Sequence, residues 1–395
     1  MNKRNASVER KAREKGRKLA SKKFCMFTRV LSILYLIALL AFESVLLALN
    51  VLPEKIMLLI VVCLAVVSVL LFMWLYFRNI KKGIKVIATI MSICMILVFG
   101  VGSYYAMNTL NFIGAVTTKK ISSDAVDDIT QDPFNIYVSG MDSKGEIDSG
   151  EKSRSDVNMI VTVNPRKKTI LLTSIPRDYQ IELPSHGYAE DKLTHSGLYG
   201  VDETIGAVEN LMGIKINYYI KVNYTTFIEL VNAIGGIYVT SDYEFDTYID
   251  GYHIEKGVNY LHGEEALAFA RERQAFIDGD NQRVKDQQIV LASIIDRVTS
   301  SNRWLMKYNK ILSTLSPYIE MNLSRDEIQQ LVKMQLSENI NWKIKKSSLT
   351  GTDSTQSVYS SDTPVYVMVP DDTSVQEAAD KINAMTKTGK SNNSN

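Results

Sequence analysis

The sequence predicts an α/β (α+β) protein: an N-terminal three-helix membrane anchor followed by one extracytoplasmic domain with a twisted mixed sheet covered by helices. Three observations predict it. Apolar residues make up 46% of the 395 positions, and they crowd into the first 110. Basic residues flank those apolar runs on one side of the expected bilayer. Beyond residue 133, short β-rich runs alternate with amphipathic helix-like ones, the pattern of a sheet covered by helices.

Three apolar runs, Val30 to Leu52, Ile56 to Phe77 and Val86 to Met107, are each as long as a helix crossing a hydrocarbon core requires. The first is too long for the apolar part of a cleaved signal peptide, and two more follow it. Residues 1–29 hold 11 Lys or Arg against two Glu, and RNIKKGIK at 78–85 holds four basic residues and no acid. Both therefore belong on the cytoplasmic side, and an odd number of spans places everything after Met107 outside. Residues 108–395 carry 29 Lys and Arg against 39 Asp and Glu, a net charge of −10 with histidine neutral. That balance argues against nucleic acid as a partner of this domain, and the basic tail suits anionic lipid. All three cysteines, Cys25, Cys63 and Cys94, fall in or beside the membrane segment, so the outer domain relies on no disulfide.

The domain plan is a basic tail (1–29), three spans (30–107), a polar connector (108–132), the outer domain (133–386) and a polar, disordered tail, KTGKSNNSN (387–395). The outer domain opens with the strand FNIYVSGMD. A hairpin follows, in which VNMIVTV and TILLTSI flank the turn Asn164-Pro165-Arg166-Lys167-Lys168. Next come a helix over Thr204 to Met212, a strand at INYYIKV, and a helix from Tyr224 to Ile234 stopped by Gly235-Gly236 before another strand. A long helix is expected from Gln282 to Thr299, with Val284, Ile289, Ala292 and Ile295 near helical spacing. Ser324 to Glu327 forms a capping box for another helix, and WKIKK, VYVMV and a helix from Ser374 to Met385 complete the series.

The chain has no GxSxG, HExxH, Walker or GxGxxG motif, which removes the usual support for serine hydrolase, zincin and nucleotide-binding readings. Its four histidines, His186, His195, His253 and His262, show no ligand spacing. What remains is a set of aspartates and arginines near strand ends. Asp142 follows the first strand, Asp156 precedes the second, and Arg177-Asp178 follows the third behind Pro176. If those strands are neighbours, the three loops converge at one edge. Paired carboxylates share a proton or bind a divalent cation, and arginines match phosphate oxygens with a charge that does not titrate near neutrality. In AFARERQAFIDGDNQRVKDQQ (268–288), Arg283 and Gln287 share a helix face, and Asp280 or Asn281 would cap that helix. Glu272, Lys285 and Asp286 read as solvated helix surface.

The motifs SGMDS with RSD, then TSIPRD, DKLTH, IGGI, and ALAFARER with DGDNQRVKDQQ occur here in one order and spacing. Over roughly residues 133–305 the sequence resembles the LytR-CpsA-Psr family, and within it the CpsA-like members with three spans. The resemblance implies a membrane-anchored phosphotransferase acting outside the cell membrane. Such an enzyme moves a glycopolymer, capsular or teichoic-acid-like, from an undecaprenyl pyrophosphate carrier to peptidoglycan. It further implies that Asp142 and Asp156 hold Mg²⁺ or Mn²⁺. Arg154, Arg177, Arg271, Arg283 and Gln287 would hold the pyrophosphate, with Lys192 and Arg273 as supporting charges. Asp142, Asp156, Arg177, Arg271 and Arg283 form the catalytic set. The bilayer and membrane proteins of polymer biosynthesis are the further expected partners. Two other readings stand beside this one: a regulator or attenuator of polymer or wall gene expression, and a polyprenyl-pyrophosphate pyrophosphatase.

Overall fold

The computed structural model describes residues 2–77, 79–117, 124–143, 147, 152–277, 279–300 and 319–387. The chain divides into two compact units, residues 1–110 and 111–395. The expected disordered tail lies, from residue 388 onward, outside the described residues.

The first unit is built on α1 (Asn2–Leu49), α2 (Glu54–Tyr76) and α3 (Lys82–Val116), all three long and apolar enough to cross a membrane. The basic tail is continuous with α1, because its Lys, Arg, Ala and Glu residues favour helix and no proline interrupts them. α3 likewise runs past its expected end at Met107. Tyr35, Leu39, Leu71, Leu75 and Phe99 pack together, and the Tyr35 hydroxyl meets Ser68 Oγ at 2.8 Å. Leu40, Leu58 and Leu97 are largely exposed, an apolar outer surface that water would penalise and lipid would not.

The second unit is laid out in chain order. It runs β1 (Phe134–Met141), β2 (Ser155–Asn164), β3 (Thr169–Ile175), β4 (Gln180–Leu183), β5 (Ala189–Lys192), α4 (Leu193–Ser196), α5 (Val201–Met212), β6 (Tyr218–Asn223) and α6 (Tyr224–Ala233). It continues with β7 (Ile237–Ser241), β8 (Phe245–Asp246), β9 (His253–Ile254), β10 (Gly257–Leu261), α7 (Gly263–Arg271), α8 (Gly279–Ser300) and β11 (Ile319–Met321). The last elements are α9 (Arg325–Glu338), β12 (Lys343–Ser348), β13 (Gly351–Val358), β14 (Ser361–Pro370) and α10 (Asp372–Thr386). The main sheet has strand order β11-β6-β1-β2-β3-β12. It is mixed, since β1 pairs parallel with β6 and β3 parallel with β12, whereas β1-β2 and β2-β3 are antiparallel.

Alternation gives this sheet two different faces. On one, Tyr137, Ile160, Leu171 and Tyr219 pack with Ala207 and Val208 of α5 and with Ala378 and Ile382 of α10. On the other, Phe134, Met159, Val161, Leu172 and Tyr218 pack with Leu291 and Ile295 of α8 and Ile328 of α9. The predicted hairpin and the Ser324 cap are both present; Ser324 Oγ accepts from the Glu327 backbone N–H at 3.2 Å. The β13-β14 hairpin is more extensive than the single VYVMV strand expected there, because the polar run of β13 carries no apolar alternation to announce it.

Candidate active site

Register brings the expected loops together. Met141 at the end of β1 lies opposite Ser155 at the start of β2 and beside Asn223 at the end of β6, while Ile175 at the end of β3 lies opposite Asn158. Asp142, Asp156, Arg177 and Tyr224 therefore emerge at the same end of the sheet. Gly140 is needed here: a Cβ on it would come within 2.7 Å of the Val157 Cβ, and the ladder slips by one residue beside it.

Above this edge is a cavity of about 600 Å³. Its floor is the second sheet face, through Val138, Met159, Ile220, Val222 and Met321. Its walls are Phe227 and Leu230 of α6, Leu267 of α7, and α8. The α8 contribution is a stripe at helical spacing, Arg283, Gln287, Val290, Leu291 and Ile294, polar at its N-terminal end and apolar beyond. Asp142, Asp156, Arg177, Arg271 and Arg273 line the same cavity as Arg283 and Gln287, so seven of the nine expected site residues share it. Lys192 lines an adjoining cavity with Arg177 and Arg273. Arg154 is exposed and lines neither.

The charges are partly matched and partly left over. Arg177 Nη1 donates to Asp156 Oδ1 at 3.2 Å, and Thr194 Oγ1 donates to the same oxygen at 3.4 Å. Arg177 Nε is 3.4 Å from Asp178 Oδ2, close enough for ion pairing but without hydrogen-bond alignment. Burial acts to lower the Arg177 pKa, but Asp156 and Asp178 together outweigh it and raise it. Arg283, only 7% exposed, meets Asp280 at 2.9 Å and leaves its own Nε without a partner. Burial lowers its pKa foremost, Asp280 opposes, and Arg177 and Arg273 add to the lowering by like-charge repulsion. Guanidinium remains charged at neutral pH, so Arg177 and Arg283, which line one cavity edge with Arg271 and Arg273, fit a multivalent oxyanion.

The sequence reading missed three contributors. The guanidinium of Arg271 lies over the Tyr224 ring, 4.3 Å from its centroid. Burial raises the Tyr224 pKa; Arg271 pulls it down, while the charges of Asp142 and Asp156 and a hydrogen bond to Asp142 raise it further. The phenol thus ties the arginine to the carboxylate pair. Glu272 and Asp286 correct the surface reading given to them, whereas Lys285 is exposed as expected. Glu272 is 3% exposed, and its Oε1 accepts from the backbone N–H groups of Arg273, Gln274 and Ala275 at 2.8, 2.6 and 3.0 Å. It fixes the turn that carries Arg273 and follows Arg271, the last residue of α7. Gly279 closes that turn, since a Cβ there would lie 2.0 Å from the Arg273 carbonyl oxygen. Asp286 is 1% exposed and accepts from Gln282 Nε2 at 2.9 Å, with its Oδ2 unpartnered. Asp286 escaped notice because α8 is covered on more than one side, so a single apolar stripe does not mark its buried residues; Glu272 escaped because a turn folds it inside.

A cavity with an arginine-lined edge and an apolar interior suits an amphiphile with a charged head. The comparisons with known proteins agree: the LytR_cpsA_psr family model matches residues 103–385, and the chain belongs to that family. Among its relatives is the polyisoprenyl-teichoic acid–peptidoglycan teichoic acid transferase TagU of Bacillus licheniformis. It is 33% identical over 256 residues, covering 63% of this chain and 81% of that protein. The corresponding TagT of Bacillus subtilis is 34% identical over 266 residues, covering 62% and 80%. The solved structure of TagT bound to LIIa-WTA superposes with a TM-score of 0.53 at 30% identity, covering 68% of this chain and 97% of that one.

Proposed function

We propose that this protein is a membrane-anchored phosphotransferase that moves a teichoic-acid-like or capsular glycopolymer from a polyprenyl pyrophosphate carrier to peptidoglycan. The carrying observation is the α8 stripe, which passes from Arg283 and Gln287 to Val290, Leu291 and Ile294 along one cavity wall. An amphiphile laid along it keeps its pyrophosphate among Arg177, Arg271 and Arg283 and its isoprenoid in the apolar interior, where each buried CH₂ contributes about 0.8 kcal/mol. Names of the relatives support the polymer and acceptor classes. The basic residues ahead of the first span and between the second and third favour a cytoplasmic N-terminus, with the catalytic unit outside and a CpsA-like three-span anchor.

In the reaction, an acceptor hydroxyl attacks the phosphorus that bears the saccharide. The new P–O bond forms as the bridging P–O bond breaks. Polyprenyl phosphate departs with the bonding electrons, and the hydroxyl proton passes to a carboxylate of the Asp142/Asp156 pair. Arg177, Arg271 and Arg283 neutralise the charge gathering on phosphate oxygens, and Tyr224 keeps Arg271 aligned. Asp142 and Asp156 also suit Mg²⁺ or Mn²⁺: two carboxylates line one cavity, and among the described residues no larger His, Cys, Asp or Glu group competes with them. Such a cation would supply further charge neutralisation at the phosphates.

The full chain in detergent, given a polyprenyl-pyrophosphate-linked saccharide and peptidoglycan, should yield covalently wall-linked saccharide. Wild-type activity in Arg271→Ala or Asp156→Ala would sink this reading. Release of free saccharide alone would move it to pyrophosphatase.

A further inference from the structure

The buried carboxylate of Glu272 holds two loops at once. While Oε1 accepts from the N–H groups of residues 273–275, Oε2 accepts from the backbone N–H of Tyr248 at 2.5 Å, 24 residues earlier in the chain. Tyr248 lies in the turn between β8 and β9, which is tied internally: Thr247 N–H donates to Tyr252 O at 2.8 Å, and Thr247 Oγ1 donates to Ile249 O at 2.8 Å. This turn leaves Tyr248 71% and Ile249 41% exposed, although both also line the main cavity. They form a lip, partly in the cavity and partly in water. Apolar surface left in water at the rim of an apolar cavity is stabilised when an apolar ligand covers it.

The other loop, which follows α7, brings Arg273 and Gln274 to the same cavity. Its far end rests on the strand side of the lip, where the Phe276 ring centroid lies 4.8 Å from that of Phe245 and 5.5 Å from that of Tyr243. Arg273 therefore stands between an aromatic attachment and the Glu272 carboxylate, and it is the carboxylate that reaches the lip. Glu272 has an arginine on either side in the chain, so a lip joined to it by one hydrogen bond meets the part of a lipid next to its charged head. Resting on the phosphotransferase reading above, we propose that Glu272 is a positioning residue for the lipid carrier. It keeps the Tyr248–Ile249 lip in register with the arginine turn, so that the lip covers the isoprene joined to the pyrophosphate while Arg271 and Arg273 hold the phosphates.

A carboxylate supplies one acceptor oxygen to each loop, and an amide of the same shape does not. In Glu272→Gln the single oxygen serves the three donors of the arginine turn, and the NH₂ group then faces the Tyr248 N–H and releases the lip. The test uses the full chain in detergent, as wild type, Glu272→Gln, Ile249→Ser and the double variant. It measures binding of inorganic pyrophosphate and of geranyl pyrophosphate, whose short chain holds only the isoprenes nearest the head. Each single variant should weaken geranyl pyrophosphate about fivefold and leave inorganic pyrophosphate within about twofold. The double variant should bind no more weakly than either single, because a released lip has no contact left to lose. Losses that multiply in the double variant overturn the proposal, since clamp and lip would then act separately. Equal weakening of both ligands in Glu272→Gln also overturns it, leaving Glu272 as a support of the arginine turn alone. Ile249→Ser, at an exposed position, keeps the test open if Glu272→Gln does not fold: unchanged geranyl pyrophosphate binding there removes the lip from the site. A wild type that gains no affinity from the geranyl chain would instead overturn the phosphotransferase reading.

Discussion

The two faces of the main sheet use the same strands and reach opposite ends. One is solid although it is rich in polar groups. Tyr137 donates to Asn158, Thr162 Oγ1 to Asn135 Oδ1 at 2.7 Å, and Lys221 pairs with Glu320 at 3.4 Å, with the Tyr219 hydroxyl 2.9 Å from the same carboxylate. The other is apolar, yet beyond Met159 and Ile220 it is left hollow. Apart from the Thr173 hydroxyl, hydrogen bonds within the packed face allow close filling at little desolvation cost, while the apolar face tolerates a void. Rigidity and vacancy are thus placed back to back, a residue apart along each strand.

The sharpest way to break this comparison is on the solid face. Lys221→Met removes the cation paired with the buried Glu320 and should cost about 3–5 kcal/mol in chemical denaturation, with Lys221→Met/Glu320→Leu recovering most of it. A cheap single substitution would show that the face is not organised around its polar pairs. Next in size, Arg271→Ala on the hollow side should reduce transfer by about 10²–10³. Its unfolding midpoint should move little, since its guanidinium spans a cavity edge. Smaller again, Leu230→Trp should occupy the hollow and weaken polyprenyl pyrophosphate binding about tenfold, with stability changed by under about 1.5 kcal/mol. The same replacement at Val208, in the solid core, should unfold the domain.

The smallest effect carries a pH sign. Asp286 is pushed up to about 7, by burial first; the Gln282 hydrogen bond and Lys285 oppose this, and Asp242 and Glu272 add to it. Its folded pKa exceeds the unfolded one, so the folded chain holds a proton that the unfolded chain has lost, and stability falls as pH rises between them. Between pH 6 and pH 8 the wild type should lose about 1 kcal/mol relative to Asp286→Asn. Thermal melts of both proteins across that window would check it, and parallel pH profiles would remove Asp286 from the account.

Sequence carried the antiparallel hairpin and the convergence of Asp142, Asp156 and Arg177, because alternation and turn chemistry are local and fix which end of each strand meets which. It did not carry Tyr224, whose ring meets the guanidinium of the distant Arg271, and no short-range pattern encodes that meeting. Glu272 and Asp286 were hidden for a related reason: charge predicts exposure unless a turn or a second covering layer takes the group inside.

The hairpin also has a bearing on which insertions and deletions lineages of this chain can accept. Asn164 to Lys168 turns tightly at the end of β2 and β3 remote from the cavity, with Lys168 at a φ of 51° and Lys167 N–H donating to Asn164 Oδ1 at 2.9 Å. Losing one residue there would slip β3 against β2, exchange Leu171 with Leu172 between the solid and hollow faces, and carry Arg177 away from Asp156. The link from β1 to β2, residues 142–154, is longer and can change length without altering a strand's register. Length variation among descendants should therefore collect beside the chemistry and be purged from the quiet turn opposite it.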